Sequence, residues 1–120
     1  MNYIIYEIKR LKFENILWII FIILSIANIV GDIDEEKFIK TNNKIYKYNA
    51  NKIFKFTLIV TLIIYIYFFI RNYESYKNIS YSKKKLYSIK LLGSSLLIAG
   101  IICLIYFQNK QNNFIGSAAI

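Results

Sequence analysis

NILWIIFIILSIANIVG, residues 15–31, carries no charged side chain over 17 positions, and the chain repeats this pattern twice more. FTLIVTLIIYIYFFI at 56–70 and LLGSSLLIAGIICLIYFQN at 91–109 run 15 and 19 residues without Asp, Glu, Lys or Arg. A helix rises about 1.5 Å per residue, so these stretches cover roughly 22 to 28 Å of a hydrocarbon core about 30 Å thick. The pattern predicts an all-α integral membrane protein with three transmembrane helices. Spans at about 14–31, 54–70 and 90–108 leave connectors at 32–53 and 71–89 and a short polar tail at 109–120, within a single membrane domain.

Composition supports this reading. The hydrophobic fraction of 57% exceeds the soluble range of about 45–50%, and the apolar residues are clustered instead of periodic. A soluble alternative needs three helices buried on every side, and 120 residues lack the interior volume for them. The single cysteine, Cys103, lies inside the third span, and the chain has no histidine. Zinc, haem and iron–sulfur sites therefore lack ligands, and no cofactor is expected. Nucleophilic catalysis by Ser–His or Cys–His pairs is excluded, and no enzyme activity is expected. The net charge of +9 comes from lysines that sit beside the spans and mix with tyrosines. Lipid headgroup contact and topology setting explain that placement better than nucleic acid does.

Ile4, Ile5, Ile8 and Leu11 gather on one helical face, with Glu7, Lys9, Arg10 and Lys12 mostly opposite. This predicts a short amphipathic N-terminal helix in the headgroup plane, the alternative being the plain start of the first span. Ser25-Ile26-Ala27 also places small residues where a signal peptidase cuts, although the apolar run continues through Val30 as an anchor would. The acidic cluster Asp32, Asp34, Glu35 and Glu36 lacks the glycine and spacing of a calcium loop and reads as a solvated turn. Tyr73, Tyr76, Tyr81 and Tyr87 suit the wet edge of a bilayer, and the tail adds an apolar patch at Phe114-Ile115. Lys9, Arg10 and Lys12 with the second connector, including Lys83, Lys84 and Lys85, total nine basic residues on one side, against seven on the other. The positive-inside rule then places the N-terminus and second connector in the cytoplasm and the C-terminus outside a cell membrane.

Within the spans, Ser25 with Asn28 and Thr57 with Thr61 share helical faces, while Ser95, Ala99 and Cys103 form a small stripe beside Gly93, Ser94 and Gly100. Small residues let helix backbones approach closely, so Gly93, Ser95, Ala99, Gly100 and Cys103 are expected to pack helices. A polar lining for a substrate path is the functional alternative. No acidic or basic residue lies deep in a span, which argues against a stand-alone proton-coupled transporter or voltage sensor.

Three segments, Tyr6-Glu7-Ile8-Lys9-Arg10-Leu11, Asn72-Tyr73-Glu74-Ser75 and Leu86-Tyr87-Ser88-Ile89-Lys90-Leu91-Leu92, occur in an order with a known counterpart. The order resembles the N-terminal half of permease subunits of type 2 ATP-binding-cassette exporters: amphipathic lead-in, first span, external connector, second span, coupling segment and third span. The resemblance covers about half of such a permease, and the coupling segment lacks the family's usual glycine and proline. It implies that Glu74, with Tyr73 and Tyr76, contacts a separate ATPase that carries all nucleotide chemistry. Other expected partners are membrane lipids and a second copy or another membrane subunit, with no nucleic acid. A small interaction protein, such as a bacteriocin-immunity protein or a phage holin, is the alternative function.

Overall fold

The computed structural model describes residues 2–110, and over these residues the chain is helical with no strand. Helix α1 spans Asn2–Thr41, α2 spans Lys44–Asn78, a 3-10 turn covers Tyr81–Lys83, and α3 spans Lys84–Lys110. All three helices are long and apolar enough to cross a membrane, so the fold is all-α and compatible with a multi-pass membrane protein. The expected patch at Phe114-Ile115 lies outside the described residues.

The helices overrun the apolar stretches. With 40 and 35 residues, α1 and α2 extend about 60 and 52 Å, far beyond a hydrocarbon core of about 30 Å. No separate amphipathic N-terminal helix exists, because residues 2–13 form the first turns of α1 and continue through Ala27 without a break. The acidic cluster Asp32, Asp34, Glu35 and Glu36 likewise lies within α1 and not in a turn. The physical reason is local: residues 2–30 and 32–41 hold no proline or glycine, so nothing within them interrupts the helix at low cost.

The link between α1 and α2 is reduced to Asn42-Asn43. Asn42 takes the left-handed conformation at φ 56°, and its N–H donates to the Phe38 carbonyl at 2.7 Å. Asparagine tolerates that region better than other side-chain-bearing residues, which ends α1. The Asn43 side chain then accepts from the Ile45 N–H at 3.1 Å and caps α2. Lys37 over the Tyr46 ring and Lys47 over the Phe38 ring hold the two helices together beyond the turn.

Helix α2 lies between the other two and touches both, while α1 and α3 make no contact with each other. The described chain measures 59 × 27 × 15 Å, a layer little more than one helix thick. On α1 the residues turned inward recur at steps of four and three: Arg10, Glu14, Leu17, Phe21, Leu24, Asn28 and Gly31. On α3 the same rhythm selects Tyr87, Leu91, Ser94, Ile98, Ile101, Ile105 and Gln108. A spacing of 3.5 residues keeps one seam facing its neighbour, as in coiled coils.

The seam that α3 turns to α2 is not its small-residue face. Gly93, Ser95, Ala99, Gly100 and Cys103 all lie exposed on the far side of α3, and a Cβ added at Gly93 or Gly100 would meet nothing. Helix α2 presents bulky Phe54, Leu58 and Tyr65, and Ile101, Leu104 and Ile105 bury more area against them than small residues could. The close approach occurs instead at Gly31, where a Cβ would sit 2.5 Å from the fully buried Phe54 ring.

Candidate functional site

The helices are joined by polar contacts at the seams, and these concentrate where the N-terminal part of α1 meets the end of α2. Glu14 falls on the inward rhythm of α1, between Arg10 and Leu17, and is 7% exposed. Its Oε2 accepts from Arg71 Nη1 at 2.5 Å, from Arg10 Nη1 at 3.3 Å and from the Tyr67 hydroxyl at 3.5 Å. Arg10 Nη2 donates to Glu7 at 2.6 Å, so the cluster alternates in sign from Glu7 through Arg10 and Glu14 to Arg71. The Arg71 guanidinium also sits 5.7 Å from the centre of the Phe68 ring. A carboxylate this buried keeps its charge cheaply only when such donors surround it.

Two further contacts tie α2 to α3. Asn72 Nδ2 donates to Ser94 Oγ at 2.6 Å, and Ser94 Oγ donates onward to the Lys90 carbonyl at 3.2 Å. At the opposite end, Gln108 Nε2 donates to Asn51 Oδ1 at 2.5 Å, with Gln108 only 1% exposed. Midway along the α1–α2 seam, Thr57 Oγ1 lies 3.0 Å from both Asn28 Oδ1 and the Phe54 carbonyl. One hydroxyl proton serves one of these acceptors at a time. Turning the Asn28 amide over would let its NH2 donate to Thr57 while Thr57 donates to Phe54.

Two cavities open on one side of α2 near the Glu14 cluster. One, of about 520 Å³, has walls of Trp18, Phe21, Tyr65, Phe68 and Leu97, together with the polar side chains of Glu14, Arg71, Asn72 and Lys90. The other, of about 510 Å³, is lined by polar groups that include Arg10, Glu74, Ser75 and Asn78. Arg71 and Lys90 border both. Trp18 stacks obliquely on Phe68 with ring centres 5.7 Å apart, and Phe13 meets Tyr67 edge-on at 5.1 Å. A third cavity, of about 240 Å³, lies beside Asn28, Thr57 and Thr61.

Of the residues singled out for partner contact, Tyr73 and Glu74 are exposed on the overrun of α2 and Tyr76 is half-buried. Lys77 Nζ stands 5.5 Å over the Tyr73 ring and Lys84 Nζ 5.0 Å over that of Tyr76. Glu74 lies on the continuous helix α2 and forms no ion pair among the described residues. Among the lysines assigned to headgroups, Lys9, Lys12, Lys83 and Lys85 are exposed and Lys84 is half-buried, whereas Arg10 is committed to Glu7 and Glu14. Among the described residues, no three His, Cys, Asp or Glu side chains come together as a metal site.

Sequence reasoning gave Glu14, Arg71 and Asn72 no role between helices, since each lies at the edge of a charge-free run. The available signal was register: Glu14 occupies a position of the four-and-three repeat that is otherwise largely apolar. Comparison with known protein families, with curated proteins and with solved structures finds no significant match.

Proposed function

We propose that the chain is a non-enzymatic membrane subunit of the ATP-binding-cassette permease-like class, active only in assembly with other membrane helices and a partner ATPase. The observation that carries this reading is the shape. A layer 15 Å thick, in which α1 and α3 touch only α2, encloses no interior through which a substrate could pass. Its apolar side chains, among them Ile22, Ile23, Ile63 and Leu96, are exposed along their lengths and suit lipid or further helices. The overrun of α2 carries exposed Tyr73 and Glu74 beyond the apolar stretch, where a soluble partner can reach them. In this reading the protein sits in a cell membrane with the Glu7–Arg71 end towards the cytoplasm and the Asn42-Asn43 turn outside.

The test is purification of the tagged full chain in mild detergent from its native host, with identification of bound proteins. An ATP-binding-cassette ATPase that is retained by the natural chain and lost in Glu74→Lys supports the reading. Retention that is indifferent to Glu74→Lys overturns the role of this segment. A complex without any ATPase moves the assignment to the interaction-protein alternative, an immunity protein or a holin.

A further inference from the structure

We infer that the groove between α1 and α3 is an interface for a second copy of the chain, whose α2 lies in it with its exposed apolar ridge. The proposal rests on the chain crossing a membrane and is independent of any ATPase. Thr57 meets Asn28 of α1, while the adjacent Leu58 shares a cluster with Ile101 of α3. Nearer the end of α2, Arg71 bonds Glu14 of α1 and the adjacent Asn72 bonds Ser94 of α3. Successive helical residues stand about 100° apart, so α1 and α3 sit at nearly a right angle around α2. The three helices hold three corners of a four-helix bundle, and the groove is the fourth. All three cavities lie along it, each walled by α1 and α3, and neighbours share Tyr65 or Arg71 on the floor. From Thr57 to Ser75 that floor measures about 27 Å, close to the hydrocarbon core of about 30 Å.

The back of α2 carries the complementary shape. Phe56, Ile59, Ile63, Ile66, Ile70 and Tyr73 recur at steps of three and four and are 41–62% exposed. They form one ridge of large side chains, convex because α1 and α3 both lean to the other side of α2. Rotation about the membrane normal keeps every residue at its own depth. The partner's Ile66 therefore comes level with Leu97, which shares the 520 Å³ cavity with Tyr65 and Phe68. Isoleucine knobs fill such a space, whereas the small-residue face of α3 would leave it hollow. Direction also selects α2. Helices α1 and α3 run the same way, so only an α2 in the fourth corner is antiparallel to both neighbours, as in an up-down bundle. Ser25, Thr61 and Ser94 line the groove, and short hydroxyl side chains of this kind suit a close helix more than an acyl chain. Ridge and groove lie on opposite sides of one chain, so the contact is head-to-tail and repeats in rows or rings within the membrane plane.

The experiment uses the full chain in membranes without any ATPase, with Cys103, its single cysteine, replaced by serine. Ile66→Cys on the ridge and Leu97→Cys in the groove, both at exposed positions, are expressed singly, side by side in one membrane, and within one chain. A short bifunctional thiol reagent then reads the contact, and Ile23→Cys on the outward face of α1 sets the level of chance encounters. Neither single variant should crosslink above that level. The two single variants expressed together should give dimers several-fold above it, and the double variant a ladder of dimers, trimers and larger species. Ile63→Ala, which removes a neighbouring knob, should reduce the ladder several-fold while circular dichroism stays helical. Crosslinking of Ile66→Cys alone would mean that the ridges pair back to back. A double variant that stays monomeric would mean that lipid or a different helix fills the groove. Either result overturns the proposal. Every variant should stay in the membrane through alkaline extraction, and release would overturn the membrane reading itself and this contact with it.

Discussion

Arg71 Nη1 lies 2.5 Å from Glu14 Oε2, joining the end of α2 to α1 across 57 positions of sequence. Glu14 is the more buried partner, with its side chain 9% exposed against 22% for Arg71. Breaking a buried pair from one side leaves the other charge stranded, at a cost of about 3–5 kcal/mol. Arg71→Met should therefore lower thermal stability in detergent markedly, at the lower end of that range because Arg10 remains on Glu14. The double variant Glu14→Met/Arg71→Met should recover most of the loss. A double variant less stable than either single one would contradict this account of the seam.

The Gly31–Phe54 contact gives a steric prediction. Phe54 is fully buried, so its ring has nowhere to retreat from an added side chain. Gly31→Val should destabilise by about 1–3 kcal/mol through overpacking, despite the helix propensity gained. Combining it with Phe54→Leu should restore part of the loss, readable as a shift in the unfolding midpoint.

Gln108 and Asn51 close the α2–α3 seam at the opposite end, and interhelical polar contacts of this kind contribute roughly 0.6–2 kcal/mol. Gln108→Leu should cost an amount within that range. Proteolysis at the α3 end should also accelerate, because Asn51 then loses its partner.

By contrast, Gly100→Leu and Cys103→Leu should leave the isolated chain within about 0.5 kcal/mol of the original, since both positions point away from α2. A thiol-reactive probe should label Cys103 in the folded protein without loss of helicity. Destabilisation well beyond that figure would place the small-residue face inside the molecule.

Near the Asn42-Asn43 turn, Lys40 Nζ stands 2.8 Å from Glu36 Oε1. The hydrogen bond and charge of Lys40 lower the Glu36 pKa below 4.5, and Glu36 raises Lys40 above 10.5. The Glu36 contribution is complete above its ordinary value and fades as pH falls through the lowered one. The Lys40 contribution is complete below its ordinary value and fades as pH rises through the raised one. Lys40→Met should move the Glu36 titration midpoint upward in a nuclear magnetic resonance titration.

The three spans were legible because desolvation of charge is the largest sequence-level penalty in lipid, and 15–31, 56–70 and 91–109 avoid it completely. Their extensions were less legible. The polarity of Asp32–Glu36 argues for water, but water does not require a turn, and the helix runs on to Thr41. The face of α3 that meets α2 was not legible in its small residues, because smallness at Gly93, Ser95 and Ala99 speaks only of how close a neighbour can come. The deciding factor was what α2 offered: Phe54, Leu58 and Tyr65 for apolar burial, and Asn51 and Asn72 as polar partners for Gln108 and Ser94. Glu14 and Arg71 escaped notice because a single sequence does not reveal which charges at two helix ends will meet.

Every interhelical contact described above joins helices that are neighbours in the chain. During synthesis α1 emerges with nothing to dock on, and its seam is completed as soon as α2 follows through the two-residue link. Helix α3 then adds to a finished hairpin, using the face of α2 that α1 leaves free. No helix has to hold its place for a distant partner, so the monomer can be completed in the order in which it is translated. Only the outward faces of the layer remain uncommitted when the ribosome is done.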